Sequence, residues 1–410
     1  MIGMEDVMEK LAVCMQCGAC VGSCPVTGLN EFNVRRLARR AYLGWAGQEV
    51  LKEEVWLCLL CARCYENCPR GINLPEVMVR LRQQAVKQGL VPRTVSLTRS
   101  NLSKYGNPAG VEAKELMEWA SDLNVPKSGD RLFYAGFYLL ADHIESMVRS
   151  MLRVGIKADR VAAAAALLQR VGLGGLVKAA MKGVGLSYRQ TLKRYLLTLP
   201  KLGLEVSYLY DEEPWVGTEL HTYGFLEDFA EHAKRVYALL KERGIKEIVT
   251  PDPIAAVTFK KLYPEYVDGF SIEVKTVVEA LAEKKPEFKA PVEAKVVFHD
   301  PCMLARYLRV VEEPRTLLTS IPGLDLNEPV RNKQFTVCCG AGGLEVVNPS
   351  LAREVAVKSV QNLLSTNASL VVSACPMCTM MLKLGVEKLG AKAEVVDLGD
   401  ILWKALAQEA

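Results

Sequence analysis

Five cysteines in the last third of the chain constrain its fold most strongly, because short apolar runs precede them at a regular interval. The cysteines are Cys302, Cys338, Cys339, Cys375 and Cys378. Two gaps of 35 residues separate the lone cysteine, the adjacent pair and the final pair. The apolar runs, 296–298, 335–337 and 370–372, have the composition of buried strands. With helical stretches such as 351–364 between them, they predict a parallel α/β sheet. Its carboxyl edge carries the thiols and, in this class of sheet, the ligand site.

Five thiols at one sheet edge favour an iron-sulfur cluster over other uses of cysteine. A structural zinc site is closed by four ligands and seldom uses adjacent cysteines. Disulfides are rare in a reducing compartment, and cysteines of an ordinary core would not all follow strands. All 13 cysteines of the chain fall into spaced groups, which argues for metal ligation.

The segments around these cysteines, 299–302, 339–343 and 374–376, resemble the CCG domain of heterodisulfide reductase and of glycolate-oxidase-type iron-sulfur subunits. The resemblance implies that the five cysteines together hold an unusual, non-cubane [4Fe-4S] cluster, a type associated with disulfide cleavage. Family members commonly have a histidine after the first cysteine, where this chain has Met303. That departure leaves the delivery of protons to the cluster open.

Eight cysteines in the first third form two runs with the spacing of bacterial dicluster ferredoxins. The runs are Cys14, Cys17, Cys20, Cys24 and Cys58, Cys61, Cys64, Cys68, and a proline follows each. In this pattern three closely spaced thiolates bind one cubane and the fourth reaches the other. One [4Fe-4S] cubane is therefore expected on Cys14, Cys17, Cys20 and Cys68, and a second on Cys58, Cys61, Cys64 and Cys24. A zinc ribbon would need paired CxxC motifs without the third and fourth cysteines.

The residues between the two runs predict a helix with an arginine-rich face. Apolar residues recur at helical spacing from Val34 to Tyr42, and four arginines occupy the other face. That face either docks an acidic electron carrier or is simply solvated. The short segments around both runs resemble the small ferredoxin subunit of heterodisulfide reductase. In the D-type subunit of that family this module is fused to CCG repeats.

The middle third resembles the first CCG repeat of the family without its thiols. The residues at the ligand positions are Phe137, Trp215, Val216, Asp252 and Ala255. We expect them to converge in space without a metal, with the apolar ones filling the volume of a cluster. The alternative is an α/β domain unrelated to the CCG repeats.

Residues 149–201 form a basic insert within this middle repeat. They contain eleven lysines and arginines against one acid, Asp159, interleaved with apolar runs and glycines. Such a composition predicts a surface that contacts anionic lipid or an acidic partner. A solvated helical hairpin with a long basic face is the other interpretation.

Two weaker signals lie beside the five cysteines. Gly340, Gly342 and Gly343 lack the Gly-x-Gly-x-x-Gly spacing of dinucleotide sites, so they predict a close approach of backbone to the cluster. His299 and Asp300 are candidates for a proton-handling pair, although a histidine at a strand end is more often just hydrogen-bonded.

Charge and hydropathy restrict the remaining function classes. The net charge of +4 is too small in 410 residues to indicate nucleic-acid binding. The sequence begins without the features of a signal peptide, and it has no stretch of about 18 uncharged apolar residues. We expect a cytoplasmic protein, peripheral on the inner face of the membrane. No Rossmann fingerprint occurs, so we expect no flavin or nicotinamide in this chain, and any flavin belongs to a partner. The expected redox partner is either a flavoprotein or a membrane cytochrome b-type subunit.

The sequence thus predicts an α/β chain in three parts. They are a helical dicluster ferredoxin domain (1–105), a degenerate CCG repeat (130–285) that contains the basic insert, and an intact CCG repeat (290–410). The predicted function is that of a heterodisulfide reductase-like subunit, in which electrons pass from two cubanes to a CCG cluster that reduces a disulfide or related sulfur substrate. The alternative is an electron-relay subunit of a flavin dehydrogenase for glycolate, lactate or glycerol-3-phosphate.

Overall fold

The computed structural model describes residues 4–45, 47–155 and 187–406. The first part of the described chain is helical. Its α-helices are α1 (Met4–Ala12), α2 (Ala19–Ser23), α3 (Val34–Tyr42), α4 (Gln48–Lys52), α5 (Arg63–Glu66), α6 (Leu74–Lys87), α7 (Arg93–Tyr105) and α8 (Ala113–Met117), with 3-10 turns at Glu54–Leu57 and Glu118–Ala120. The predicted helix between the two cysteine runs is α3. It begins where the Asn33 side chain accepts a hydrogen bond from the backbone N–H of Arg36 at 3.0 Å, and it buries the Leu37 face.

Two parallel sheets form the rest of the molecule. The first contains β1 (Arg131–Phe133), β2 (Glu247–Thr250) and β3 (Glu273–Thr276), in the order β1-β2-β3. The second contains β4 (Ala294–His299), β5 (Leu324–Asn327), β6 (Leu370–Ser373) and β7 (Glu394–Asp397), in the order β5-β4-β6-β7. The strands of the second sheet are parallel as well, as the apolar runs predict.

The two sheets share one topology. A parallel bridge joins Ser207 to Leu132 of β1, on the side where the second sheet has β5. If the bridge at Ser207 is counted as a strand, each sheet has four strands. Numbered by their order in the sequence, they lie side by side as second, first, third and fourth in both sheets. The predicted pseudo-duplication of the α/β body is therefore confirmed.

Helices cover these sheets and supply the loops at their carboxyl edges. They are α9 (Tyr138–Val154), α10 (Ser187–Lys201), α11 (Thr218–Thr222), α12 (Leu226–Glu242), α13 (Pro253–Val257), α14 (Tyr263–Tyr266), α15 (Val277–Lys284), α16 (Glu313–Thr319), α17 (Leu344–Val347), α18 (Pro349–Leu364), α19 (Pro376–Leu389) and α20 (Leu398–Ala405). Shorter turns are π-helical at Thr258–Leu262 and Met303–Leu308, and 3-10 at Tyr210–Glu212 and Lys333–Phe335.

One strand prediction is wrong. Residues 335–337 do not form a strand, because the carbonyls there bond side chains instead of a neighbouring strand. Thr336 accepts from Arg306 Nη1 at 3.1 Å, and Val337 accepts from Ser359 Oγ at 3.2 Å. The strand of this unit is β5, which ends before the loop that carries Cys338.

The predicted basic insert is described only at its two ends. Residues 149–154 complete α9, and residues 187–201 form α10, which packs on α9 and α20. Tyr195 of α10 is buried, and its hydroxyl donates to Asp397 at 2.8 Å. These ends therefore belong to the packed body, and the rest of the predicted insert, 156–186, lies outside the described residues.

Candidate iron-sulfur centres

Four ferredoxin cysteines surround one cavity at the surface. Cys14, Cys17, Cys20 and Cys68 line it together with Arg35 and Arg70. Cys17 is exposed, and the side chain of the neighbouring Met15 keeps 63% of its surface accessible. Left-handed backbone at Gly18, with φ of 86°, turns the chain between Cys17 and Cys20.

The other four ferredoxin cysteines lie deeper. The Cys64 thiol interacts electrostatically with Cys58, Cys61 and Cys24, so the fourth cysteine of the first run lies with the second run. Cys20 interacts in the same way with Cys14 and Cys68. The structure thus brings the cysteines together in the exchanged groups that the ferredoxin spacing predicts.

Burial favours the protonated form of two of these thiols, Cys58 and Cys20, until a metal displaces the proton. Desolvation raises the pKa of Cys58 to about 12 and that of Cys20 to about 11. Because a metal binds the thiolate, loading either site must release protons.

The five cysteines of the last third converge at the carboxyl edge of the second sheet. The Cys338 thiol lies within hydrogen-bonding reach of Cys302 and Cys339. The Cys378 thiol lies within the same reach of Cys339 and Cys375. Four of these five are buried, and Cys302 alone among them is partly accessible. We refer to this group as the five-cysteine site.

Helix α19 begins inside the five-cysteine site. Cys375 is its N-cap residue, Pro376 its first residue, and Cys378 lies in its first turn. The free backbone N–H groups of such a start, and the positive end of the helix dipole, stabilise negative charge. The sequence order Cys-Pro-x-Cys therefore places two thiols beside backbone donors that can stabilise a bound anionic group. The thiols themselves stay protonated more readily than usual, because burial raises the pKa of Cys375 and the contact with Cys339 raises the pKa of Cys378.

Several buried polar atoms near the five-cysteine site have no hydrogen-bond partner among the described residues. They are both ring nitrogens of His299, Nη2 of Arg306 and Oγ of Ser373. A ring nitrogen of His299 and the sulfurs of Cys339 and Cys378 lie within 4.8 Å of one another. Buried polar groups are normally paired, so these atoms fit a bound group that accepts hydrogen bonds, as the sulfides of an iron-sulfur cluster do.

Asp300 has hydrogen-bond partners other than His299. Asp300 forms a bidentate ion pair with Arg315, at 2.7 and 2.9 Å, and also accepts from the backbone N–H of Lys333 at 2.7 Å. These donors occupy the carboxylate, so Asp300 orders the loop before Cys338 while His299 faces the thiols.

The glycines after Cys339 permit close packing. Gly342 has φ of 103°, and a Cβ there would collide with the carbonyl oxygen of Leu59. A Cβ on Gly343 would lie 2.8 Å from the ring of Tyr223, and one on Gly340 would collide with the carbonyl of Ala352. The nearest neighbours of the three are thus helix α18, the C-cap residue of α11 and the ferredoxin loop.

The second ferredoxin group abuts the five-cysteine site. The Cys61 thiol lies within hydrogen-bonding reach of Cys338, and this contact lowers the pKa of Cys61. The side chains of Arg306 and Tyr307 hold the loop of Cys61 against the site. The sequence did not predict that these two residues contact the ferredoxin domain. The one sequence feature that could have indicated it is their position directly after a cluster motif.

The structure brings together residues around the first sheet that the sequence comparison placed at the ligand positions. The rings of Phe137 and Trp215 meet edge to face at 5.0 Å between centroids. Asp252 Oδ2 accepts from the backbone N–H of Phe137 at 2.9 Å. Of the five residues predicted to converge, Phe137, Trp215 and Asp252 thus lie together, and the backbone N–H of Ala255 also reaches the Asp252 carboxylate. The sequence did not reveal two acids beside them, the half-buried Glu213 and the buried Glu219.

Comparison with known families agrees with this geometry at both ends of the chain. Residues 10–72 match the 4Fe-4S dicluster domain, and residues 296–383 match the CCG cysteine-rich domain. The D-type subunit of dihydromethanophenazine:CoB–CoM heterodisulfide reductase from Methanosarcina acetivorans is 26% identical over 97% of this chain and 95% of its own length. This chain is an iron-sulfur protein similar to the D-type subunit of heterodisulfide reductase.

Two further relatives are named as redox proteins and are longer than this chain. The probable iron-sulfur-binding oxidoreductase FadF of Bacillus subtilis is 28% identical over 77% of this chain, which spans 41% of FadF. The B-type subunit of fumarate reductase (CoM/CoB) from Methanothermobacter marburgensis is 27% identical over 97% of this chain and 71% of its own length. The chain is thus similar to one protein named as an oxidoreductase and to one named as a reductase subunit.

One solved structure shares the fold. A hypothetical protein from Helicobacter pylori aligns with all of this chain and 78% of its own, with a TM-score of 0.54 and 13% identity. No helix in the described part of the chain is long and apolar enough to cross a membrane.

Proposed function

We propose that this chain is the iron-sulfur subunit of an oxidoreductase complex and reduces a disulfide or a related sulfur substrate. In this proposal one cubane is bound by Cys14, Cys17, Cys20 and Cys68, a second by Cys58, Cys61, Cys64 and Cys24, and a non-cubane [4Fe-4S] cluster by Cys302, Cys338, Cys339, Cys375 and Cys378. The cubanes would supply electrons, and the non-cubane cluster would supply iron at which a sulfur can bind.

The contact between Cys61 and Cys338 carries this proposal. Electron transfer slows steeply with distance, and here ligands expected for two different clusters touch. The outer group, Cys14 to Cys20 with Cys68, reaches the surface at Cys17. A row of three sites from the surface to the five-cysteine site is the arrangement that serves electron delivery to a reaction centre.

The residues around the five-cysteine site suit a sulfur substrate. Cys302 is partly accessible, whereas the other four thiols are buried, so a small molecule reaches the site from the side of Cys302. Cleavage of a disulfide takes up two electrons and two protons. His299 is buried, faces the thiols and has both ring nitrogens without a partner among the described residues, so it is the group best placed to hold or donate a proton there.

The electron-relay alternative has its own support. Met303 occupies the place where the resemblance leads us to expect a histidine, which removes one proton donor. Relatives of the chain include a protein named EtfAB:quinone oxidoreductase, from Syntrophomonas wolfei, 27% identical over 53% of this chain. A relay needs the same row of clusters but no access for a substrate sulfur.

Anaerobic iron analysis and electron paramagnetic resonance test the proposal together. Three four-iron clusters require about 12 iron atoms per chain, and about 8 would leave the five-cysteine site without a cluster. Oxidation in the presence of a thiol should produce a paramagnetic signal that changes with the identity of the thiol. A full iron content, normal electron transfer to a dye and no response to thiols would instead establish the relay.

Partners and location follow from the same proposal. The chain would receive electrons from a redox partner subunit, either a flavoprotein or a membrane cytochrome b-type subunit. It would work in the cytoplasm, peripheral on the inner face of the membrane, with the basic segment within 149–201 toward lipid or partner. Co-purification from the native host, with and without that segment, tests this association.

A further inference from the structure

Two neighbouring side chains of the CCG domain bind two neighbouring carbonyls of the ferredoxin loop. Arg306 Nε donates to the carbonyl oxygen of Cys61, and the hydroxyl of Tyr307 donates to that of Leu60 at 2.6 Å. Both side chains come from the π-helical turn Met303–Leu308, which begins directly after Cys302. The two contacts look alike, but one donor is charged and the other is neutral.

Arg306 also binds the loop that leads to Cys338. Its Nη1 donates to the carbonyl of Gln334 at 3.0 Å and to that of Thr336 at 3.1 Å. The residue is 4% exposed, and its Nη2 is buried without a hydrogen-bond partner in the part of the chain that the structure describes. The guanidinium therefore lies between the ligand loops of two predicted clusters, with one donor unused.

The charge of Arg306 has no carboxylate counterpart within 4–45, 47–155 or 187–406, since no ion pair of the structure includes it. A buried charge is costly unless it is compensated. The ionisable groups that interact most strongly with this guanidinium are the thiols of Cys61, Cys302 and Cys338. Arg63 adds a second cation near Cys61 and Cys338, so positive charge accumulates beside these thiols.

We propose that Arg306 is a shared positive counter-charge for the cubane at Cys61 and the cluster at the five-cysteine site, and that it favours the addition of an electron to either of them. The proposal rests on the proposed function for the presence of these clusters. Each added electron places negative charge in a buried region of low dielectric, where a neighbouring cation is worth much more than in water. An electron that moves between the two sites remains beside the same guanidinium.

The test compares three variants of the full chain by redox titration monitored with electron paramagnetic resonance. Arg306→Gln removes the charge, Arg306→Lys keeps it without the planar fork, and Tyr307→Phe removes a hydrogen bond to the same loop without changing charge. We expect Arg306→Gln to shift the midpoint potentials of the Cys61 cubane and the five-cysteine cluster to more negative values. The potential of the outer cubane at Cys14 should stay unchanged, as should all three potentials in Tyr307→Phe.

Arg306→Lys distinguishes charge from shape. Its potentials should lie closer to those of the wild type than to those of Arg306→Gln. The proposal is wrong if Arg306→Gln keeps all three clusters at wild-type potentials. It is also wrong if Arg306→Lys loses clusters, or if its potentials shift as far as those of Arg306→Gln. In each of these cases the residue only holds the loops in place. Iron content of the wild type separates this outcome from failure of the proposed function. A wild type without the five-cysteine cluster contradicts the function, while the shift at the Cys61 cubane still tests Arg306.

Discussion

Buried carboxyl groups are an unusual feature of this protein at the level of single residues. Glu219 is 9% exposed, its Oε2 accepts from Trp215 Nε1 at 2.9 Å, and its Oε1 has no partner among the described residues. Burial raises the pKa of Glu219 to about 7, that of Glu345 to about 7 and that of Glu213 to about 8. The region of the first sheet and the short helix α17 after Cys339 therefore carry acids whose pKa is raised toward neutral pH.

Glu219→Gln should reduce the pH dependence of stability. Between pH 4.5, the ordinary pKa, and about pH 7, the unfolded chain has released the proton of Glu219 while the folded chain still holds it. Rising pH in this window therefore favours unfolding, and the loss is complete above the folded pKa. Glutamine keeps the hydrogen bond to Trp215 and never ionises, so the variant should gain on the order of 2 kcal/mol over wild type at pH 8 and little at pH 4.5.

Anaerobic thermal unfolding of the loaded protein at both pH values measures this difference. Glu231→Gln, on the exposed side of α12, is the matched control and should leave the profile unchanged. A Glu219→Gln variant with the same change in melting temperature between the two pH values as the wild type would show that the carboxyl is not the source.

Among the elements, the glycine-rich loop after Cys339 decides how the ferredoxin domain meets the second sheet. Gly342→Ala adds a Cβ that collides with the carbonyl of Leu59, at a φ of 103° that side chains rarely adopt. We expect a loss of about 2 kcal/mol or more, with iron lost first from the sites at Cys61 and Cys338. Thermal unfolding and iron analysis measure it.

Gly22→Ala is the control for this loop change. Gly22 lies in α2, is exposed, and an added Cβ would meet nothing within 4 Å. Alanine there should be neutral or slightly stabilising because it favours helix. Equal losses in both variants would mean that the cluster domains tolerate no added side chain anywhere, and that the contact with Leu59 is not special.

At the scale of the whole molecule, periodic sequence patterns predicted the sheets and the cysteine groups. The contacts between distant parts of the chain were not predicted. Cysteine spacing predicted the exchanged grouping of Cys24 and Cys68, and apolar runs predicted β4 and β6, because each depends on local sequence. The run 335–337 is apolar enough for a strand, yet its carbonyls bind the distant Arg306 and Ser359. Contacts between residues so far apart in sequence produce no periodic pattern. The contact of Cys61 with Cys338 could therefore not be predicted either.

The three groups of thiols form a row, and the row predicts the route of electrons through the molecule. Cys17 and Met15 are exposed at one end, Cys61 lies in the middle, and the five-cysteine site lies at the other end. Cys24→Ala should remove the middle cubane and Cys68→Ala the outer one, because each cysteine serves the group formed by the other run. Each variant should lose about 4 of about 12 iron atoms.

Stopped-flow reduction by a redox protein, which is too large to enter the site at Cys302, distinguishes the two variants. In Cys24→Ala the outer cubane should be reduced at the wild-type rate, while reduction of the five-cysteine cluster slows by orders of magnitude because the middle step is missing. In Cys68→Ala all remaining clusters should be reduced slowly, because the exposed entrance is gone. Wild-type rates at the five-cysteine cluster in Cys68→Ala would mean that electrons enter elsewhere, and the order of the row would not be the order of transfer.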